Sequence, residues 1–338
     1  MIKVSKIYGV ALIGCGHMGA VHLENIYYKD NAHITYVCDS VLEKAELFKK
    51  KYGAEVATDN VDECIESENV DIVIISTYPK SHIELLEKCL KNKKHVIMEK
   101  PIGTSLEEGE RFLELLKEYP ESRVLVGHIL RHNHTYNTVA KMIKDGAIGK
   151  PILMRMVQNH HTMNWERYLE LMRETSPIID CGVLYLDVMQ WFTGAKITGI
   201  SGIGMRTEEQ VPEDTYNYGM ITVTLSDGSV AYYEAGWANT ISSDNLKEFV
   251  GPKGSIKIIY QKDRQRHQEE GDLIEYYKYP EKKYEMINVE GKRKPTDEQF
   301  DYLIKMIEEG AHANPSNSEV YECFKRALEA DACIRNNK

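Results

Sequence analysis

The chain has 338 residues, 42% of them hydrophobic and 28% charged, which leaves room for about two domains of ordinary size. Lys plus Arg number 42 against 52 Asp plus Glu, and the resulting formal charge of -10 argues against a broad basic footprint for nucleic acid or an anionic membrane. No run approaches the roughly 20 apolar residues of a membrane span; the 7 scattered cysteines, without a CxxC pair, fit a reducing cytoplasm and offer no framework for zinc or another metal.

Tyr8–Ile13 is an apolar run that runs directly into glycines, so it reads as a buried first strand and not as a signal peptide. A helical pattern follows over 18–28 and a strand over 33–38. Ser40 and Glu43 form a capping box for a helix that closes at Tyr52 and Gly53. The stretch 71–76 is a continuous β-branched run, as expected of a strand buried on both faces. A helix over 79–90, a strand at His95–Met98, a helix capped by Ser105 with Glu108, and a strand over 123–127 complete the series. Strands separated by single helices imply right-handed crossovers and a parallel sheet. Residues 1–126 are therefore predicted to be a doubly wound α/β Rossmann domain.

The pattern then changes. A helix over 136–144 is followed by a break at Gly149-Lys150-Pro151, a long strand through Gln158, and a buried helix over 180–192. From 197 to 289 strands follow one another, with Ser226-Asp227-Gly228-Ser229 as a hairpin turn. The stretch 262–294, rich in charge and tyrosine, reads as solvated edge strands. Thr296 with Gln299, and Ser316 with Glu319, open two final helices as capping boxes. Residues 127–338 are thus predicted to be an α+β domain with an open, mostly antiparallel sheet.

Gly14-Cys15-Gly16-His17-Met18-Gly19 lies between the first strand and the first helix. In such a turn Gly14 permits the tight bend, Gly16 lets the backbone approach a pyrophosphate, and Gly19 lets helix and strand pack closely. The first-turn N–H groups, those of His17 and Met18 included, then face the phosphates. Asp39, about 20 residues further on, ends the second strand, where a carboxylate binds both ribose hydroxyls and repels a 2′-phosphate. No Lys or Arg follows it directly, so NAD is favoured over NADP. Ser76, Thr77 and Tyr78 end the next strand and are expected along the cofactor's ribose side; Glu99 is expected to contact the nicotinamide end or to orient Lys100.

Gly14–Gly19, the run from Ser76 through Pro79 to His82, Glu99-Lys100-Pro101, Gly127 with Arg131, Asp180-Cys181-Gly182, and Gly251-Pro252-Lys253-Gly254 together resemble the Gfo/Idh/MocA oxidoreductases. The resemblance covers nearly the whole chain, with the Glu-Lys-Pro triplet its most specific part. It implies redox chemistry at a secondary alcohol of a sugar, polyol or sugar derivative, and a homodimer or homotetramer formed through the C-terminal sheet. Lys100 follows a strand whose carboxyl end faces the nucleotide crevice, where it is expected to border the cofactor and to hydrogen-bond the alcohol or carbonyl oxygen as hydride moves.

Asp180 is the second catalytic candidate. The family motif reads Asp-x-Gly-x-His, and here the histidine position is Leu184, which moves no proton. Tyr185 would lie about 140° from Asp180 on one continuous helix, leaving Asp180, Leu184 and Asp187 as the presented face. His160 and His161, at the end of the long strand beside a polar loop with Asn164 and Trp165, are the candidate substitutes. Strand alternation sends them to opposite faces, so at most one enters the site. Asn159, His160, Trp165 and Tyr168 form a polar and aromatic mixture suited to a carbohydrate. Three readings follow: an NAD-dependent dehydrogenase, an enzyme that returns the hydride during glycoside cleavage or epimerisation, and a non-catalytic NAD-binding regulator.

Overall fold

The computed structural model describes residues 6–162, 164–264 and 271–336. In chain order the elements are β1 (Tyr8–Ile13), α1 (His17–Ile26), β2 (Ala32–Cys38), α2 (Leu42–Tyr52), β3 (Val56–Thr58), α3 (Val61–Glu66), β4 (Ile72–Ile75), α4 (His82–Lys91), β5 (His95–Met98), α5 (Leu106–Glu118) and β6 (Val124–Val126). There follow α6 (His134–Lys144), β7 (Leu153–His161), α7 (Trp165–Met172), α8 (Pro177–Asp180), α9 (Gly182–Thr193), β8 (Ile197–Met205), β9 (Tyr218–Leu225), β10 (Val230–Ala238), β11 (Lys247–Gly251), β12 (Gly254–Ile259), β13 (Asp272–Lys278), β14 (Lys283–Val289), α10 (Thr296–Glu309) and α11 (Asn317–Asn336). They fall into two compact units: one holds the chain up to Ile129 together with Lys294–Tyr321, the other Leu130–Arg293 and the chain from Glu322 on.

The first unit is a parallel sheet in the order β3-β2-β1-β4-β5-β6. The order reverses between β1 and β4, and a crevice opens at their carboxyl ends. Register sets what reaches that crevice. Ile13 pairs with Ile75 and Ile75 with Met98, so Gly14, Ser76 and Glu99 emerge side by side. The two short elements β3 and α3 are absent from the sequence-based expectation, because 3 and 6 residues are too few to show a period.

Helix starts account for the other local differences. Val41, and not Ser40, is the N-cap of α2; its N–H donates to Asp39 Oδ1 at 3.0 Å, so the Asp39 carboxylate and not the Ser40 hydroxyl serves this helix start. Ser105 does accept from Glu108 N–H, but the Glu108 carboxylate turns to the Thr104 N–H and hydroxyl. Ser316 and Glu319 form the reciprocal box, at 3.3 and 2.8 Å. Thr296 is inside α10, where its hydroxyl donates to Val21 O at 3.1 Å and Pro295 is the N-cap.

A boundary at 126/127 falls beside the Ile129/Leu130 crossing, but α10 belongs to the first unit and not to the second. The reason is its apolar face. Phe300, Leu303 and Ile304 join the core of Val10, Leu12, Leu23 and Ile72, and burying each such side chain stabilises the unit by roughly 1.5–3 kcal/mol.

The second unit is an eight-stranded sheet in the order β14-β13-β12-β11-β7-β10-β9-β8, antiparallel except where β10 runs parallel to β7. Its β13–β14 end corresponds to the charged, tyrosine-rich stretch, of which 265–270 lie outside the described residues. One face of the sheet carries Met154, Met156, Tyr233 and Phe249 against α9, where Tyr185 stacks on Tyr233 at 4.6 Å and Phe192 meets Phe249 at 5.0 Å.

The expected single helix over 180–192 is two. α8 ends at Asp180, Cys181 intervenes, and α9 starts at Gly182, where an added Cβ would stand 3.3 Å from the Tyr233 ring. The angular argument from Asp180 to Tyr185 therefore does not hold. Asp187 does not belong to a presented face either: it is buried and holds Arg131 through two hydrogen bonds of 2.8 and 2.7 Å. Trp165 opens α7 instead of lying in a loop, with Asn164 as its N-cap.

Candidate active site

The glycine turn is built by close approach. Gly14 has φ +101°, and a Cβ there would meet Ser76 O at 2.7 Å. At Gly19 a Cβ would lie 2.2 Å from Gly14 O, so helix α1 can sit this close to the loop only without one. Gly16 is different: a Cβ there would point into open space, and its absence leaves the approach to the helix clear. Gly16 is also the N-cap of α1 and supplies no side-chain acceptor, and no acidic residue occupies the first turn. The helix start thus carries no side-chain cap and no acidic charge of its own, and the cradle fits a dinucleotide diphosphate.

Asp39 is tied into the same turn. Its Oδ2 accepts from Cys15 N–H at 2.9 Å and its Oδ1 from Val41 N–H at 3.0 Å, which leaves each oxygen a lone pair for a ribose hydroxyl. Replacing Asp39 with Ala is expected to weaken NAD about tenfold, since it removes charge-assisted hydrogen bonds, and to narrow the preference over NADP. Parallel titrations with the two dinucleotides check this, and an unchanged ratio would contradict the ribose assignment. Cys15, inside the motif, is no nucleophile: burial, and then the Asp39 charge, push its thiol up to about 12.

The facing edge comes from β4 and β5. Ser76 Oγ donates to Gly14 O at 2.7 Å, Thr77 Oγ1 shares a 2.7 Å hydrogen bond with Ser81 Oγ, and Tyr78 is exposed. His82 is completely buried between two carbonyls, Pro101 O at 2.8 Å and Thr77 O at 3.1 Å, and so links the turns that follow the two strands. Burial lowers its pKa, and the neutral ring has one N–H to give.

Glu99 is buried and pairs with the equally buried His22, Oε1 to Nε2, at 2.9 Å. A Cβ on Gly127 would stand 2.9 Å from its other oxygen, so the glycine is needed to seat the carboxylate. Burial alone would raise the Glu99 pKa; the hydrogen bond and charge of His22, with the charges of Lys100 and Lys294, hold it below the usual carboxylate range. Glu99 is thus a buried carboxylate committed to His22. Lys100 follows it, half-buried, with a cis peptide bond to Pro101.

In the second unit Asp180 is half-buried and accepts from the Cys181 thiol at 3.4 Å. Leu184 is half-buried, and Tyr185 is buried and stacked on Tyr233. Strand alternation resolves the two histidines. His161 is exposed, with its backbone N–H on Ser243 Oγ. His160 shares the inner face with Met156 and Gln158; its Nδ1 is 3.2 Å from the Tyr168 hydroxyl and its Nε2 3.3 Å from Gln158 Nε2. Gln158 Oε1 in turn accepts from the Tyr233 hydroxyl at 3.3 Å, and Tyr233 feels the Asp180 charge after the larger effect of burial. Trp165 is spent on Gln210, to which its indole N–H donates at 2.5 Å.

Sequence reasoning passed over His22, Gln158, Lys294 and Lys247. The last is wholly buried, its ammonium 4.6 Å over the Tyr185 ring and 2.8 Å from Asn245 Oδ1, and desolvation moves its pKa far down. A lone lysine in a strand reads as solvent-facing, so nothing local marks it. No group of three or more His, Cys, Asp and Glu able to hold a metal ion occurs among the described residues.

Residues 8–128 match the oxidoreductase family with an NAD-binding Rossmann fold, and 136–257 match the Gfo/Idh/MocA C-terminal domain. The chain belongs to the Gfo/Idh/MocA oxidoreductase family, and it is an NAD-dependent oxidoreductase. It is 26% identical over 258 residues to the inositol 2-dehydrogenase of Rubrobacter xylanophilus, covering 75% of this chain and 72% of that protein. It is 29% identical over 267 residues to the 2,7-anhydro-N-acetylneuraminate hydratase of Escherichia coli, covering 75% and 68%. In fold it is similar to the scyllo-inositol dehydrogenase of Lactobacillus casei crystallised with NAD(H) and scyllo-inositol, with a TM-score of 0.78, 20% identity and 98% of each chain covered.

Proposed function

We propose that the protein is an NAD-dependent dehydrogenase of a secondary alcohol on a polyol or sugar ring. The observation that carries this reading is the position of Lys100: it follows β5 at the carboxyl end of the NAD-binding sheet, between the buried Glu99–His22 pair and the Pro101 carbonyl held by His82. NAD, when bound, supplies the hydride acceptor. Lys100 binds the reacting oxygen and takes or returns its proton. Within the second unit, His160 is oriented by Tyr168 and Gln158, and we propose it as the proton-transfer group in place of the absent family histidine, with Asp180 kept as the second catalytic candidate. The inositol 2-dehydrogenases among the relatives favour a cyclic polyol.

A second reading uses the same residues, with hydride returned and a net elimination, hydration or epimerisation; the similarity to a hydratase supports it. An NAD-binding regulator without turnover has the retained Lys100 and Asp180 against it.

The protein is further proposed to work in the cytoplasm as a homodimer or homotetramer. All 7 cysteines are free thiols, which supports a reducing compartment. Leu153, Val230, Ile203 and Met205 are exposed on the face of the second sheet opposite Tyr233, which supports pairing through that face. No helix among the described residues is long and apolar enough to cross a membrane.

NADH formation with inositol stereoisomers, linear polyols and free sugars, with product analysis of the same samples, tests the proposal. Net NADH with a cyclic polyol is expected; altered substrate without NADH would establish the second reading. His160→Ala is expected to lower kcat/KM on the order of 10²-fold with NAD affinity unchanged, and an unaltered kcat/KM would remove His160 from the site.

A further inference from the structure

Lys294 is the first residue of the second chain segment of the NAD-binding unit, far from the glycine turn in sequence. It is half-buried, its ammonium donating to His17 Nε2 at 2.7 Å and lying 3.5 Å from Met18 Sδ. Those are the two residues that open α1. A cation beside a helix N-terminus opposes the helix dipole, so the position is unfavourable until an anion arrives. The fold nevertheless fixes it there. Lys294 O accepts from Asn25 Nδ2 at 3.2 Å and from Thr296 N–H at 2.9 Å, and Asn25 Nδ2 also donates to Thr296 Oγ1 at 2.8 Å. Glu99, whose carboxylate feels the Lys294 charge, is already engaged by His22.

We infer that Lys294 is a further cofactor ligand, donating to the diphosphate of the dinucleotide beside the first-turn N–H groups of α1. Its ammonium has three donors and exchanges a neutral imidazole acceptor for a charged oxygen when the diphosphate binds. The formal charge adds to the partial charge of the helix end, so part of NAD affinity becomes sensitive to salt. The inference depends on NAD binding and not on the choice of substrate.

Calorimetric titration of the full chain with NAD, ADP-ribose and adenosine tests it. Lys294→Met is expected to weaken NAD and ADP-ribose alike by about tenfold, to leave adenosine within about twofold, and to flatten the salt dependence. Lys294→Arg should restore most of the affinity. NAD affinity within about twofold of wild type in Lys294→Met would overturn the assignment, as would an equal loss for adenosine, which marks a disturbed turn and not a lost phosphate contact. Wild-type protein that failed to bind NAD would overturn the cofactor reading itself, and this assignment with it.

Discussion

Lys100→Met is expected to lower kcat about 10³-fold, within the range that a positioned acid or base contributes, while the Kd for NAD stays within about twofold. Met keeps the length and apolar stem of lysine and removes only the proton-carrying nitrogen. The backbone on either side is held without the ammonium: Glu99 N–H donates to Ile75 O at 2.9 Å, and Pro101 O meets His82 at 2.8 Å. The diphosphate and ribose contacts proposed for the glycine turn and Asp39 do not involve the Lys100 ammonium, so binding and turnover should separate. Stopped-flow turnover beside an NAD titration checks both quantities, and a kcat near wild type would assign the proton transfer to another residue.

Gly19→Ala should act in the opposite way, removing NAD binding before chemistry is reached. Its added Cβ would stand 2.2 Å from Gly14 O, 3.0 Å from Ser76 Oγ and 3.1 Å from Leu12 Cδ2. The first neighbour is backbone and cannot rotate away, so α1 must move off the loop and take its N–H groups with it. Overpacking of this kind costs about 1–3 kcal/mol of stability. Losing one or two charge-assisted hydrogen bonds to the diphosphate weakens NAD on the order of 100-fold. Thermal unfolding and NAD titration of the variant measure the two effects. By contrast, Gly16→Ala adds a Cβ that meets nothing in the protein, so its stability should be unchanged and any loss confined to NAD.

The parallel sheet was legible because each strand carries its own local signature: Tyr8–Ile13 and His95–Met98 lie where the apolar runs put them. The family was legible because the glycine turn, Asp39 and Glu99-Lys100-Pro101 are short motifs with one structural context each. What stayed hidden depends on contacts across the chain. Nothing near Phe300 says that α10 packs against α1 and β6, and nothing near Lys294 says that it returns to His17. The break at Cys181 was hidden for a related reason. The apolar pattern over 180–192 reads as continuous helix, and only the fold shows α8 ending at Asp180 and α9 starting at Gly182, whose missing Cβ leaves room for Tyr233 on β10. Alternation along β7 did separate His160 from His161, but only the partners Tyr168 and Gln158 tell which one is held inward.

Whether hydride leaves the substrate for good is the central claim, and isotope tracing tests it most directly. The enzyme is given NAD and a cyclic polyol deuterated at the carbinol carbon, and both products are examined by mass spectrometry. One deuterium in NADH for each ketone formed is the expected result. Deuterium retained in a dehydrated, hydrated or epimerised sugar, with NAD unchanged at the end, would contradict a dehydrogenase.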